Sequence, residues 1–146
     1  MKTWTTEVWM AAAPALVFER LTEPDAIARW APMPFQVLEL DGDRLHEGVH
    51  ARVRGGLAGR QLEFDVEVLR AQDGKLSLIA YGPVTIGADY LVRPAGRGSS
   101  VRAAITISSQ GIIGAMLAGA LEALLAAGAL RDSVARIGRG LEAIPA

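Results

Sequence analysis

The chain contains no cysteine. Disulfides, thiolate metal sites and cysteine nucleophiles are therefore excluded, and nothing points to an oxidising compartment. Aromatic residues make up only 5%, too few for a platform on which single-stranded nucleic acid could stack. Neither sign of charge is in excess: 15 Lys and Arg stand against 16 Asp and Glu, for a formal net charge of −1. The basic footprint of a nucleic-acid binder is absent, so no nucleic-acid partner is expected. The first residues, Met1-Lys2-Thr3-Trp4, do not form a charged stretch followed by an apolar run. No signal peptide is expected, and the expected compartment is the cytoplasm. There is no GxSxG, P-loop or GxGxxG motif; Gly55-Gly56 and Gly59 fall between two strand patterns rather than before a helix. A phosphate cradle is not expected, and no cofactor is implied.

Histidine is also scarce. His46 and His50 are the only two, with Gly48 between them in a segment that reads as a strand. Four strand residues span about 13 Å, too far to share an ion, so no metal site is expected.

What remains is apolar. Of 146 residues, 51% are hydrophobic and 21% charged, which excludes disorder. The length suits one domain, residues 1–146, able to bury about two thirds of its unfolded surface. Residues 3–10 alternate loosely as a strand. Ala13-Pro14 opens a short helix, with Leu16, Val17, Phe18 and Leu21 on its apolar face. Thr22 reads as the N-cap of a second short helix answered by Asp25, stopped by Pro32 and Pro34 just past Trp30. Alternating strands follow over residues 35–40, 48–54, 61–69, 75–81, 84–93 and 100–109. Gly55–Gly59, Gln72-Asp73-Gly74 and Pro94–Gly98 read as the turns between them. From Gly111 the period becomes helical, and one long helix is expected from about 112 to 142. Short turns imply an antiparallel sheet, whose apolar face the C-terminal helix must cover. The fold class is α+β.

Three stretches carry a family resemblance: Ala13-Pro14-Ala15-Leu16-Val17-Phe18, then Leu21-Thr22-Glu23-Pro24 with Trp30, then Tyr90-Leu91-Val92-Arg93-Pro94 with Gly96, Gly98 and Ser99-Ser100-Val101. The chain resembles the START-like (SRPBCC) helix-grip superfamily, of the polyketide cyclase/dehydrase-like kind, over nearly its whole length. Serine replaces the threonine usual after the turn glycine. The resemblance implies a seven-stranded antiparallel sheet gripping a long C-terminal helix, two short helices after the first strand, and an apolar cavity between sheet and helix. Members bind lipids, sterols or polyketides, and some catalyse cyclisation or dehydration.

Alternation gives the inward strand set: Val49, Ala51, Val53; Leu62, Phe64, Val66, Val68; Leu76, Leu78, Ala80; Val84, Ile86, Ala88, Tyr90, Val92; Val101, Ala103, Ile105, Ile107. Only Tyr90 in it bears a polar group, whereas acid–base chemistry needs a titratable group beside the reacting atom. The first expectation is therefore a binding protein for a hydrophobic small molecule, lipid- or polyketide-like. Its ligand-binding residues would be Trp30, Phe64, Leu78, Tyr90, Leu117 and Leu121, with Tyr90 as hydrogen-bonding anchor and Trp30 and Phe64 as apolar walls. The second is a polyketide cyclase/dehydratase using Tyr90, assisted by Arg29 or Glu122 if either turns inward. The third is a membrane-recruitment or assembly protein resembling the accessory (G) component of carbon monoxide dehydrogenase.

Two patterns have a bland and a functional reading. Glu63, Asp65 and Glu67 form a carboxylate stripe about 6.6 Å apart, but His50, Arg52 and Arg54 lie across the hairpin on the same face. A solvated face of cross-strand ion pairs is preferred to a hydrolase-type carboxylate pair. Gly111–Leu130 holds one charge, Glu122, in twenty residues. By hydropathy it would pass as a membrane span. The sheet's need for a cover favours a buried helix, its ridge of Gly111, Ala115, Gly119, Ala123 and Ala127 packing on the sheet. The functional reading leaves part of it exposed, as peripheral membrane contact or a homodimer face.

Overall fold

The computed structural model describes residues 2–23, 35–42, 44–57 and 59–142. Eight alternating or helical patterns become β1 (Lys2–Met10), α1 (Pro14–Leu21), β2 (Phe35–Leu40), β3 (His50–Leu57), β4 (Arg60–Gln72), β5 (Lys75–Tyr81), β6 (Val84–Ala95) and β7 (Gly98–Ser109). Two helices close the chain, α2 (Gly111–Ala126) and α3 (Ala129–Glu142). The second short helix expected before Pro32 lies outside the described residues, as do Arg29 and Trp30.

Turn chemistry sets the order of the strands. Asp73 and Gly74 both have positive φ, 54° and 75°, the pair that a type I′ hairpin between β4 and β5 requires. Gly74 also has no room for a side chain, since a Cβ there would meet the Val92 carbonyl oxygen at 2.5 Å. Each successive strand from β2 to β7 pairs antiparallel with the next, and β1 joins the far side of β7, giving the order β1-β7-β6-β5-β4-β3-β2 in one seven-stranded sheet. The Gly55–Gly59 stretch is not a wide loop. Pairing continues through Gly55↔Leu62, Gly56↔Gln61 and Leu57↔Arg60, so strand structure reaches further into the hairpin than the glycines suggest.

The sheet has one wet face and one covered face. On the wet face, Arg52 lies 3.9 Å from Asp65, and Arg54 lies 3.4 Å from Glu63. Glu7 meets Arg102 at 3.6 Å and accepts the Ser100 hydroxyl at 2.8 Å. Ser77 donates to Asp89 at 2.6 Å. The covered face carries Leu62, Phe64, Val68, Leu76, Ala80, Val84, Ala88, Tyr90, Val92, Val101, Ala103, Ile105 and Ile107, all buried. Helices α2 and α3 supply Leu117, Leu121, Leu125, Leu130, Val134 and Ile137 to the same core.

The C-terminal helix is not continuous. It breaks at Ala127-Gly128, where Gly128 takes φ +97°, and the two halves are bent by 57°. A left-handed residue cannot continue a right-handed helix, and glycine adopts it with no side-chain penalty. The small-residue ridge also differs from expectation. Gly111, Ala115, Gly119, Ala123 and Ala127 are exposed, while Gly114, Leu117, Ala118, Leu121 and Leu125 face the sheet. The bulkier row wins because burying leucine removes more apolar area from water than burying alanine or glycine.

Thr22 stands at the C-terminal end of α1, and the helix it is expected to open lies outside the described residues. Its hydroxyl donates to the Phe18 carbonyl at 3.1 Å and to that of Glu19 at 3.2 Å, closing α1. Arg44 donates to the Glu19 carbonyl at 2.6 Å and to the Thr22 hydroxyl oxygen at 3.0 Å. A guanidinium there also meets the negative end of the α1 dipole. Leu45, buried beside it, donates its N–H to the Thr22 carbonyl at 3.0 Å.

Candidate ligand-binding face

Strand register resolves the covered face into rows. One row runs Trp4, Ile105, Ala88, Leu78, Val68, and the next runs Ile107, Ile86, Ala80, Val66, Ala51. Within them Ala51, Val66, Leu78 and Ile86 are only half-buried, as is Val53 beside Phe64, although all five point to the covered side. Their neighbours Ala80 and Ala88 are buried, and both are small. A packed core normally leaves few voids beside such side chains. Here the sheet's centre, β3 to β6, retains solvent-accessible apolar surface beneath the helices.

The expected site residues fall into separate places. Leu78 stands in the half-buried rows. Leu117 and Leu121 project from α2 into the core, both almost fully buried. Tyr90 and Phe64 share the covered face but not a neighbourhood. Tyr90 lies opposite Leu76, which lies opposite Ala71, whereas Phe64 lies opposite Val53. Ala71 and Phe64 are separated by about 20 Å along β4. Only a long ligand could touch both side chains.

The polar inventory is short. Burial pushes the Tyr90 phenol well above its ordinary value, so it stays neutral and acts as a hydrogen-bonding group rather than a base. Ser99 is fully buried on the same face, its hydroxyl donating to the Ala12 carbonyl at 2.6 Å. Thr6, on β1 opposite Ala103, is half-buried. Ser99 and Thr6 lie outside the inward set that alternation gives; carrying the same alternation through β1 and to the start of β7 finds them. Glu122 does not turn inward as a free acid. It is half-buried and meets Lys2 at 3.7 Å. His46 and His50 are exposed, and among the described residues no group of His, Cys, Asp and Glu is placed to hold a metal ion. Among them too, the buried polar side chains besides Tyr90 are Thr22, Ser99 and Ser133.

The fold accords with the comparisons to known proteins. The family model described as polyketide cyclase / dehydrase and lipid transport matches residues 1–142, and the chain belongs to that family. No curated protein matches the sequence. Among solved structures, a Rhodobacter sphaeroides protein superposes with a TM-score of 0.69 at 18% identity, over 99% of this chain and 95% of that one. Ara h 8.0201 gives 0.61 at 11% identity, over 93% and 97%. DynU16, from the dynemicin biosynthetic locus, gives 0.64 at 20% identity, over 98% of this chain and 48% of that one. At these identities the likeness is one of fold.

Proposed function

We propose that the chain binds a hydrophobic small molecule, lipid- or polyketide-like, against the covered face of the sheet between β3–β6 and the C-terminal helices. The observation that carries this reading is the half-buried patch of Ala51, Val53, Val66, Leu78 and Ile86, apolar side chains directed inward yet still accessible. An apolar space with few polar groups is the ordinary form of a small-molecule site. Leu78 would touch the ligand directly, with Leu117 and Leu121 forming the roof. Tyr90 would meet a ligand oxygen at one end, and Phe64 would bound the other. Binding is favoured over cyclisation or dehydration because no buried carboxylate, histidine or lysine stands on this face among the described residues, and a neutral phenol alone is a weak proton-transfer group. The proposed setting is the cytoplasm. Among the described residues, no single helix is long and apolar enough to cross a membrane.

Native mass spectrometry of the purified protein tests the reading, together with titration of an apolar fluorescent probe. Probe binding that weakens in Leu78→Asp and in Ala80→Phe, the second filling the space without adding charge, supports it. Probe binding unchanged in both variants would overturn it.

A further inference from the structure

The outward side of α2 is as apolar as its inward side. Ile112 is 90% exposed, Ile113 61%, Met116 54% and Leu124 41%. Ala115, Gly119 and Ala123 complete the same surface, and no charged side chain interrupts it. Large exposed apolar side chains clustered on one element mark an interaction surface, unlike the same residues scattered singly. The cluster is heaviest at the start of α2. There the helix abuts the β5–β6 turn, a Cβ on Gly114 coming within 2.9 Å of the Pro83 carbonyl oxygen. Pro83 and the half-exposed Tyr81 stand at that same end.

We infer that this face is a membrane-docking surface, with Ile112, Ile113 and Met116 entering the headgroup boundary of a lipid bilayer while the domain stays outside it. One observation selects lipid over a second copy of the chain, and another selects the kind of lipid. The first is size. Seven residues of α2 are exposed on this face, against about 20–30 per partner in a stable protein interface. A bilayer imposes no such minimum, because each side chain that enters it buries its own apolar surface among the acyl chains. The second is charge. The helix's single charged residue, Glu122, is held by Lys2 at 3.7 Å. Arg131 and Asp132, both exposed, offset each other in the first turn of α3. The face itself carries no charged side chain, which suits zwitterionic headgroups rather than anionic ones. Docking, not spanning, is what the packing allows. Leu117, Leu121 and Leu125 of the same helix are buried against the sheet, and the bent pair α2–α3 would have to leave the core to cross. The inference does not rest on the ligand-binding reading, though a docked domain would bring a lipid carrier to its source.

Flotation with phosphatidylcholine vesicles, with and without added phosphatidylglycerol, tests it. The wild type should float with both vesicle types and keep floating at high salt. Ile112→Ser combined with Met116→Ser should reduce the partition coefficient about tenfold or more. Leu69→Ser, which removes an exposed leucine from β4, should leave it unchanged, as should both sets of substitutions for apolar-probe binding. Failure of the wild type to float, equal flotation by the double variant, or binding that requires phosphatidylglycerol and vanishes in salt would each overturn the inference. So would a wild-type dimer that the double variant converts to monomer.

Discussion

The ring of Phe64 lies against the backbone of Gly82, so close that a Cβ at position 82 would stand 2.6 Å from it. The glycine at the end of β5 is thus part of how the aromatic side chain is seated, and Phe64 is buried there. Gly82→Ala should displace the ring and destabilise the fold by about 1–3 kcal/mol. Phe64→Leu in the same chain should recover part of that loss, which urea denaturation of the two single variants and the double variant would measure.

The charged stripe on β4 should matter little. Asp65 and Glu63 are 81% and 55% exposed, and their arginine partners are about half exposed. Pairs this wet contribute about 0.2–1 kcal/mol each. Glu63→Gln and Asp65→Asn should therefore shift the denaturation midpoint only slightly and leave apolar-probe binding alone. A loss of several kcal/mol in either variant would show that the stripe does more than solvate the sheet.

Gly128 is the joint of the C-terminal helix. Its φ of +97° is open to glycine and strained for other residues. No atom would obstruct a Cβ there, so backbone conformation alone governs the outcome. Gly128→Ala should cost about 1–2 kcal/mol, read by thermal or urea denaturation. An alanine tolerated without loss would mean that α2 and α3 can straighten into one helix.

That joint also shows what sequence could and could not disclose. The strands were legible because one face of each is wet, so alternation survives in Glu63, Asp65 and Glu67 against Leu62, Phe64 and Val66. The paired turns were legible because only Asp-Gly and its kin adopt positive φ cheaply. In α2 the same logic has nothing to grip. Both faces are apolar, and rows of small and of bulky residues both repeat every four positions, so periodicity does not say which row meets the sheet. Gly128 was the available signal for the break, but a single glycine is compatible with a continuous helix. At the ligand face, alternation put Tyr90 and Phe64 on one side, but only the strand register shows the distance between them. Nor does alternation distinguish Leu78, left half-buried, from Leu76, which is fully covered. That depends on where the helices lie.

Tyr90 offers a test with a defined sign. Burial raises its phenol above the ordinary 10.0, so the folded chain keeps the proton at pH values where the unfolded chain releases it. Below about pH 10 both states hold the proton and the contribution to stability is full; above it the unfolded chain alone releases the proton, and that stability is lost as pH rises. Wild-type stability should fall as pH rises above about 10 and go on falling beyond about pH 11, and Tyr90→Phe should flatten part of that decline by removing the group that titrates. The same variant separates two roles at neutral pH. If the hydroxyl contacts a bound ligand, affinity should drop by about 0.5–1.5 kcal/mol while the ligand-free protein melts almost as before. If the hydroxyl serves only the fold, the loss should appear in the melting of the ligand-free protein and affinity should hold. Calorimetric melting and probe titration of the one variant read both quantities, and abolished turnover of a polyketide-like substrate would turn the reading from carrier to cyclase.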